Sequence, residues 1–315
     1  MSIRNLLHNQ KTSRINYLRG LCFLPFLIIL TTCTTLSPVS IQPFAFTFVD
    51  DIEPYWLPYA DSNYNDAAVY FHGKIASPRL EFYALKIDLF APNIGIVVKA
   101  DSLSMKVSSF VRDNNLIAGI NTVPFDIIPA AEGQPIQNLG VVISDGVMLS
   151  PPNRHFDALV FYIDENSAFG EVQNVKAAVI SQASINRSRE STENIKDAVG
   201  GFHQILINGK PARRTLSSDS RHPRSAAGVS QDGRYLYLLV IDGRRAASAG
   251  GTEEETAVIL KALGSHNGIN FDGGGSSTLA MRFPNGIVKA VNTPVHGMIP
   301  GQERAVAGCL GITLR

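Results

Sequence analysis

From about Ala67 onward the chain is dominated by runs in which apolar and polar positions alternate. The clearest, Leu80–Phe90, sets Leu80, Phe82, Ala84 and Lys86 on one side and Tyr83, Leu85, Ile87 and Leu89 on the other, the two-residue period of a strand. Shorter β-rich runs follow at 94–99, 116–120, 140–143, 158–163, 176–180, 204–207 and 235–241. Four dipeptides sit between apolar runs: Asp145-Gly146, Asn208-Gly209, Asp232-Gly233 and Asn285-Gly286. Asn and Asp tolerate positive φ and Gly adopts it freely, so each predicts a tight hairpin. Asp242-Gly243 has the same composition, but a glycine-bearing loop follows it, so it is expected to end a strand at a functional rim.

One helix is well marked. Thr252 is a candidate N-cap with Glu255 three residues on, a capping box. Glu253 and Glu254 suit the positive end of the helix dipole. Val258, Ile259, Ala262 and Leu263 make an apolar face, and Gly264 supplies the stop. A second helix is expected over 104–114. Residues 181–197 are polar and read as an exposed loop. Many hairpins, few helices and one strand–helix–strand element predict an α+β fold with a large mixed, mostly antiparallel sheet.

The N-terminal pattern is different. Residues 1–49 hold no Asp or Glu but carry Arg4, Lys11, Arg14 and Arg19, followed by the apolar run Leu21–Leu30. That run is shorter than the roughly 20 residues a membrane span takes. A basic stretch before a short apolar one reads as an export signal. Leu30-Thr31-Thr32-Cys33 has the form of a lipobox, with Cys33 as the lipidated first mature residue and an uncleaved N-terminal anchor as the alternative. The expected organisation is therefore an export signal over 1–32, a lipidated tether over 33–66 and a folded domain over 67–315. The protein is then exported and membrane-anchored, facing periplasm or cell surface. Removing residues 1–32 takes four basic residues and no acidic ones, so the whole-chain net charge of +1 becomes −3. No basic surplus is left to grip nucleic acid, and any attraction for an anion must be local. Of three cysteines, Cys22 leaves with the signal and Cys33 is acylated, so Cys309 stands alone. In its apolar run Cys309 reads as a buried thiol.

Candidate chemistry is densest between Arg224 and Ser277. Arg224-Ser-Ala-Ala-Gly228 precedes the 235–241 strand, then come Asp242-Gly243-Arg244, the helix, and Gly268-Ile-Asn-Phe-Asp272. Gly273-Gly274-Gly275-Ser276-Ser277 closes the series. The strand–helix–strand order brings Asp242 and Asp272 together if the two strands are parallel neighbours. Three glycines after Asp272 allow a close ligand approach, and their N–H groups are candidates for an anion nest, with Ser276 and Ser277 adding hydroxyls. A plain turn explains a glycine run equally well. Capping explains Glu255 without catalysis. Arg244 is either a bidentate anion clamp or a surface arginine, and His203, in a glycine-relaxed turn, is either structural or substrate-binding. A divalent metal on Asp242 or Asp272 has no ligand motif behind it.

At these residues the chain resembles the phosphodiester glycosidase domain family. The family pattern of Arg…Gly, strand, Asp-Gly-Arg, Thr-led helix with Glu, and Asn-x-Asp-Gly-Gly-Gly-Ser-Ser-Thr is matched by Arg224…Gly228, 235–244, 252–264 and Asn270–Thr278. Asn292-Thr-Pro294, Arg304-Ala-Val and Gly311-Ile312 match its tail, and Gly200-Gly201 its paired glycines. The resemblance covers about residues 80–315. It implies hydrolysis of a sugar 1-phosphodiester in a phosphorylated glycan. The anionic group would be held by Arg224, Arg244 and the 273–277 amides. Asp272 would be one carboxylate at the anomeric carbon, and Glu255 or Asp242 the other. The family's early Asn-Gly-Gly-aromatic run stands here as Asn121-Thr122-Val123-Pro124-Phe125. Asn121 is retained as a substrate-binding candidate, while Thr122 and Val123 are expected to reshape its surroundings. Two alternatives follow: a non-catalytic glycan-binding envelope lipoprotein, and a phosphodiesterase that cuts the P–O bond.

Overall fold

The computed structural model describes residues 67–99, 101–163, 175–185, 194–212 and 220–314, with the backbone alone of Glu53–Trp56. These residues belong to a compact unit running from Thr47 to Arg315. The export signal, Cys33, the tether apart from the Glu53–Trp56 backbone, and Arg187–Glu190 lie outside the described residues.

The strands form three sheets, and every ladder between them is antiparallel. The largest has eight strands in the order Glu53–Trp56, Ala68–Ala76, Arg79–Asp88, Tyr235–Ile241, Arg224–Val229, Asn267–Asn270, His203–Ile207 and Lys210–Pro211. A five-stranded sheet follows the order Val147–Ser150, Val142–Ser144, Ile195–Gly200, Asp157–Ile163, Val175–Ser181. Another runs Val288–Ala290, Leu279–Arg282, Ala118–Asn121, Cys309–Leu314, Ile94–Val98. The fold is α+β, mostly antiparallel, with few helices.

The alternation in Arg79–Asp88 explains the layering. Its odd-numbered face (Tyr83, Leu85, Ile87) enters a core shared with Val98 and Ile120 of one small sheet and Leu159 and Phe161 of the other. Its even face (Leu80, Phe82, Ala84) packs with Ala226, Leu239 and Ile241 against Ala257, Ile259 and Leu260 of the helix Glu253–Leu263. The large sheet is therefore a middle layer, covered on both faces. The helix has the expected capping box at Thr252 and ends at Gly264 with φ 116°. Of its expected apolar face, Ile259 and Leu263 pack on the sheet and Val258 is half-buried; Ala257 and Leu260 join them there, and Ala262 is exposed.

All four turn dipeptides join antiparallel neighbours. Asp145 and Asn208 take φ 49° ahead of positive-φ glycines, the backbone that matches strand twist in a two-residue hairpin. The second helix is shorter than expected, Val107–Asp113. Of the segment read as a loop over 181–197, Gln182–Ile185 is a helical turn and Ile195–Gly200 a strand. The strand–helix–strand expectation is corrected. Tyr235–Ile241 and Asn267–Asn270 run the same way but are not neighbours, because Arg224–Val229 lies between them and pairs antiparallel with both.

Leu85 is fully buried where the three sheets meet. Leu85→Ala is expected to lower unfolding stability by about 3 kcal/mol, through lost burial and a residual cavity. Leu103→Ala, at an exposed position, should change it by less than about 0.5 kcal/mol. Urea unfolding of both variants checks the layer assignment.

Candidate active site

Asp272 stands just past the strand Asn267–Asn270, where the chain leaves the large sheet for Leu279–Arg282 of a small one. The crossing is tied at both ends by buried side-chain amides. Asn121 Nδ2 donates to the Asp272 carbonyl at 2.6 Å, while Asn121 Oδ1 accepts from Thr278 N at 3.1 Å and Ser225 Oγ at 2.7 Å. Asn292 Oδ1 accepts from Leu279 N at 2.9 Å, and its Nδ2 donates to Ser277 O and to Asp242 Oδ1. The Asp272 N–H donates to Thr122 O at 2.9 Å. With its backbone so fixed, Asp272 has little freedom beyond its own side-chain rotamer.

Desolvation raises the Asp272 carboxyl above its ordinary range. The Ser276 hydroxyl, the Arg304 charge and the Gly273 N–H oppose that shift without cancelling it. The carboxyl is thus a poorly hydrated group, stabilised by hydrogen bonds and one nearby guanidinium.

The three glycines serve close approach. A Cβ on Gly274 (φ 63°) would stand 3.0 Å from Arg244 Nη2, one on Gly275 2.5 Å from Arg304 Nη2, and one on Gly273 2.9 Å from Pro223 O. Two guanidiniums therefore lie against bare backbone beside Asp272. Four of the five loop amides expected to form a nest are bonded inside the protein. Gly274 N donates to Pro223 O, Ser276 N to Gly273 O and Ser277 N to Gly274 O, while the Gly273 N–H serves Asp272. The Ser277 hydroxyl is buried, and that of Ser276 lies 3.3 Å from Arg304 Nη1.

Arg244 is exposed, with φ 58°. His222, also exposed, lies near both Arg224 and Arg244. Local desolvation lowers its pKa first and these two charges lower it further, so it is neutral at pH 7. Arg304 Nε donates to His296 Nδ1 at 3.1 Å. Arg304, His296 and His222 were not singled out as site residues in the sequence. Only the family pattern around Arg304 marked that arginine at all.

Several expected site residues are committed elsewhere. Asp242 is buried and accepts from Asn292 Nδ2 and Thr293 N, with Arg245 Nη2 at 3.3 Å. It holds the segment that holds the glycine loop. Glu255 accepts both arms of Arg221, at 2.9 and 2.6 Å, and closes the capping box on Thr252 N. Arg224 donates to Gly251 O and Ser220 O and lies 3.7 Å from Glu253. These partners of both carboxylates and of the Arg224 guanidinium all lie within the protein. His203 Nε2 meets Glu253 Oε2 at 2.8 Å, a pair at the start of the helix. Asn121 is fully buried with both amide atoms bonded inside, so it positions Asp272 and does not reach a ligand.

The two residues that replace the family's glycines after Asn121 lie inside the fold. Thr122 and Val123 are buried. They lie where a Cβ on Gly308 would come within 2.9 Å of Thr122 Oγ1 and 3.0 Å of Val123 Cγ2. A glycine on the neighbouring segment thus accommodates the two larger residues. Cys309 is buried, and burial pushes its thiol up to about 12, so it is inert. Among the described residues no three His, Cys, Asp or Glu side chains are grouped as metal ligands.

Three antiparallel sheets thus present one desolvated carboxyl beside two guanidiniums. The family model described as phosphodiester glycosidase matches residues 114–313, and the chain belongs to that family. A curated relative, the SPbeta prophage-derived uncharacterized protein YomE of Bacillus subtilis (strain 168), is 26% identical over 179 residues, which make up 56% of this chain. The chain spans only a quarter (25%) of that protein's length. Among solved structures, the zebrafish N-acetylglucosamine-1-phosphodiester alpha-N-acetylglucosaminidase catalytic domain, auto-inhibited by its pro-peptide, superposes with a TM-score of 0.57 at 19% identity, over 84% of this chain and 88% of that one. A hypothetical protein from Synechocystis gives 0.54 at 14%, over 80% and 63%. A putative exported protein of Burkholderia pseudomallei K96243 gives 0.54 at 15%, over 75% and 74%. These likenesses are of fold.

Asn121→Ala would strip partners from the buried Thr278 N–H and Ser225 hydroxyl. At about 1–3 kcal/mol for each buried group left unsatisfied, thermal unfolding should show a loss of at least about 2 kcal/mol. A wild-type melting temperature would contradict the clamp.

Proposed function

We propose that the domain hydrolyses a sugar 1-phosphodiester, breaking the bond between the anomeric carbon and the phosphate oxygen. The observation that carries this reading is the juxtaposition of Asp272 with Arg244 and Arg304 across the side-chain-free Gly274–Gly275 backbone. Family membership supports it, as does the acetylglucosamine phosphodiester named for the zebrafish enzyme.

In this scheme the guanidiniums neutralise the departing phosphate, an electrostatic contribution fixed before reaction. Asp272, ionised, faces the positive charge that develops at the anomeric carbon. Water adds there, the C–O bond breaks, and the products are a free sugar and a phosphomonoester. Phosphate is a good leaving group, so the carboxylates spent inside the frame, Asp242 and Glu255, are not needed as general acids. The setting that fits is an envelope or extracellular glycan, with the chain exported and anchored through a lipid on Cys33.

Asp272→Asn is the direct test. Because the folded environment penalises the ionised carboxyl, this group contributes most to stability when protonated, at low pH. That contribution is lost as pH rises through its raised pKa. The neutral isostere should therefore melt no lower than wild type at pH 7 while losing at least about 100-fold in kcat, the scale of a lost charge-stabilising group. In the wild type kcat should fall on acidification, starting above the ordinary carboxylate range. Unchanged turnover in a folded Asp272→Asn variant would reject the assignment.

A further inference from the structure

The structure points to Arg304 as a second phosphate-contacting guanidinium beside Arg244, and to His296 as the residue that positions it. This inference rests on the sugar-phosphodiester reading of the same site and names the anion's partners there.

Three observations carry it. The first is the pattern of arginine pairing. Arg112, Arg221, Arg224, Arg234 and Arg245 each have a carboxylate within 4.0 Å; of the others away from the glycine loop, Arg282 donates to backbone carbonyls and Arg79 and Arg154 are exposed surface residues. Among the described residues Arg244 and Arg304 also have none within that distance; burial disfavours the charge on Arg304, Asp272 farther off partly restores it, and neighbouring Arg244 disfavours it further. Two adjacent guanidiniums without a matching ion pair repel one another, and a bound anion relieves that repulsion.

The second is the shape of the backbone beneath them. Gly274 and Gly275 present no side chain, and the Nη2 ends of the two arginines lie against them. Planar forks side by side match the two non-bridging oxygens of a phosphodiester, since each fork can donate in parallel to one oxyanion.

The third is how Arg304 is held. Nε donates to His296 Nδ1 at 3.1 Å and Nη1 to Ser276 Oγ at 3.3 Å. These two bonds fix the guanidinium plane and leave further N–H donors on Nη1 and Nη2. His296 must be neutral to accept at Nδ1. Desolvation and the Arg304 charge both lower its pKa, in keeping with that state. Ser276 in turn bonds Asp272, so one short network orients the carboxyl and the second guanidinium together.

The test is isothermal titration of the full-length protein with inorganic phosphate, which reads the anion site without any reaction. Arg304→Gln should weaken phosphate binding about tenfold or more, the worth of a charged hydrogen-bonding partner. Arg112→Gln, which removes a surface cation, should leave it unchanged. His296→Ala should weaken it about fivefold, and His296→Asn, whose Oδ1 can stand near the place of Nδ1, should restore it to within about twofold. With a sugar 1-phosphodiester, His296→Ala should raise KM more than it lowers kcat. Should Arg304→Gln not fold, Arg304→Lys keeps the charge but not the fork and should still bind phosphate several-fold more weakly. Wild-type phosphate affinity in folded Arg304 and His296 variants would overturn the inference even if the substrate is hydrolysed. So would the absence of any phosphate binding by the wild type. Phosphate binding that depends on Arg304, in a protein that cleaves no sugar phosphodiester, would uphold the inference and reject the hydrolase reading instead.

Discussion

Two buried carboxamides, on Asn121 and Asn292, hold the loop on which the proposed chemistry depends. A loop with three successive glycines has many accessible conformations, and its freedom is costly to remove. Here the removal is done at the loop's ends. Asn121 grips the Asp272 carbonyl and the Thr278 N–H. Asn292 grips the Ser277 carbonyl and the Leu279 N–H, and is itself held by Asp242. Because Asn121 lies on a strand of one sheet and bonds Ser225 on a strand of another, the clamp also joins two layers of the fold. A buried polar network of this kind contributes only when fully satisfied. Asp242 belongs to that network through Asn292 and Thr293.

With its ends fixed, the loop can keep glycine where side chains would obstruct. The result is a division of labour around one backbone segment. Asp272 is desolvated, while Arg244 and Arg304 lie without ion-pair partners among the described residues, against the glycine backbone. The chain as a whole carries a net charge of only +1, so its long-range attraction for an anion is slight. Recognition of a phosphate is therefore short-range and directional, which suits a site that must hold one group in one orientation.

How much of this was legible in the sequence depended on range. The capping box of Thr252 and Glu255, the Gly264 stop and the four hairpin dipeptides are local devices, and each formed where its residues stand. The alternation in Leu80–Phe90 gave a strand, but only the packed structure shows both of its faces buried. Glu255 carried its structural explanation in plain view, and the capping box formed as expected. Asp242, Asn121 and Arg224 could not be sorted from the sequence. A carboxylate, an amide or a guanidinium looks alike whether it faces a ligand or a backbone N–H or carbonyl from a segment 27 to 157 residues away. Arg304 and His296 were passed over for the converse reason. What distinguishes Arg304 is the carboxylate it lacks, and that is a property of the assembled surface.

The central claim is a geometry, with the carboxyl toward the sugar and the guanidiniums toward the phosphate. It decides which bond breaks. Hydrolysis of a sugar 1-phosphodiester in oxygen-18 water, with mass analysis of both products, tests it most directly. Label in the released sugar is the expected result, from water adding at the anomeric carbon. Label in the phosphate would contradict the account, because water would then have attacked phosphorus and the enzyme would be a phosphodiesterase cutting the P–O bond.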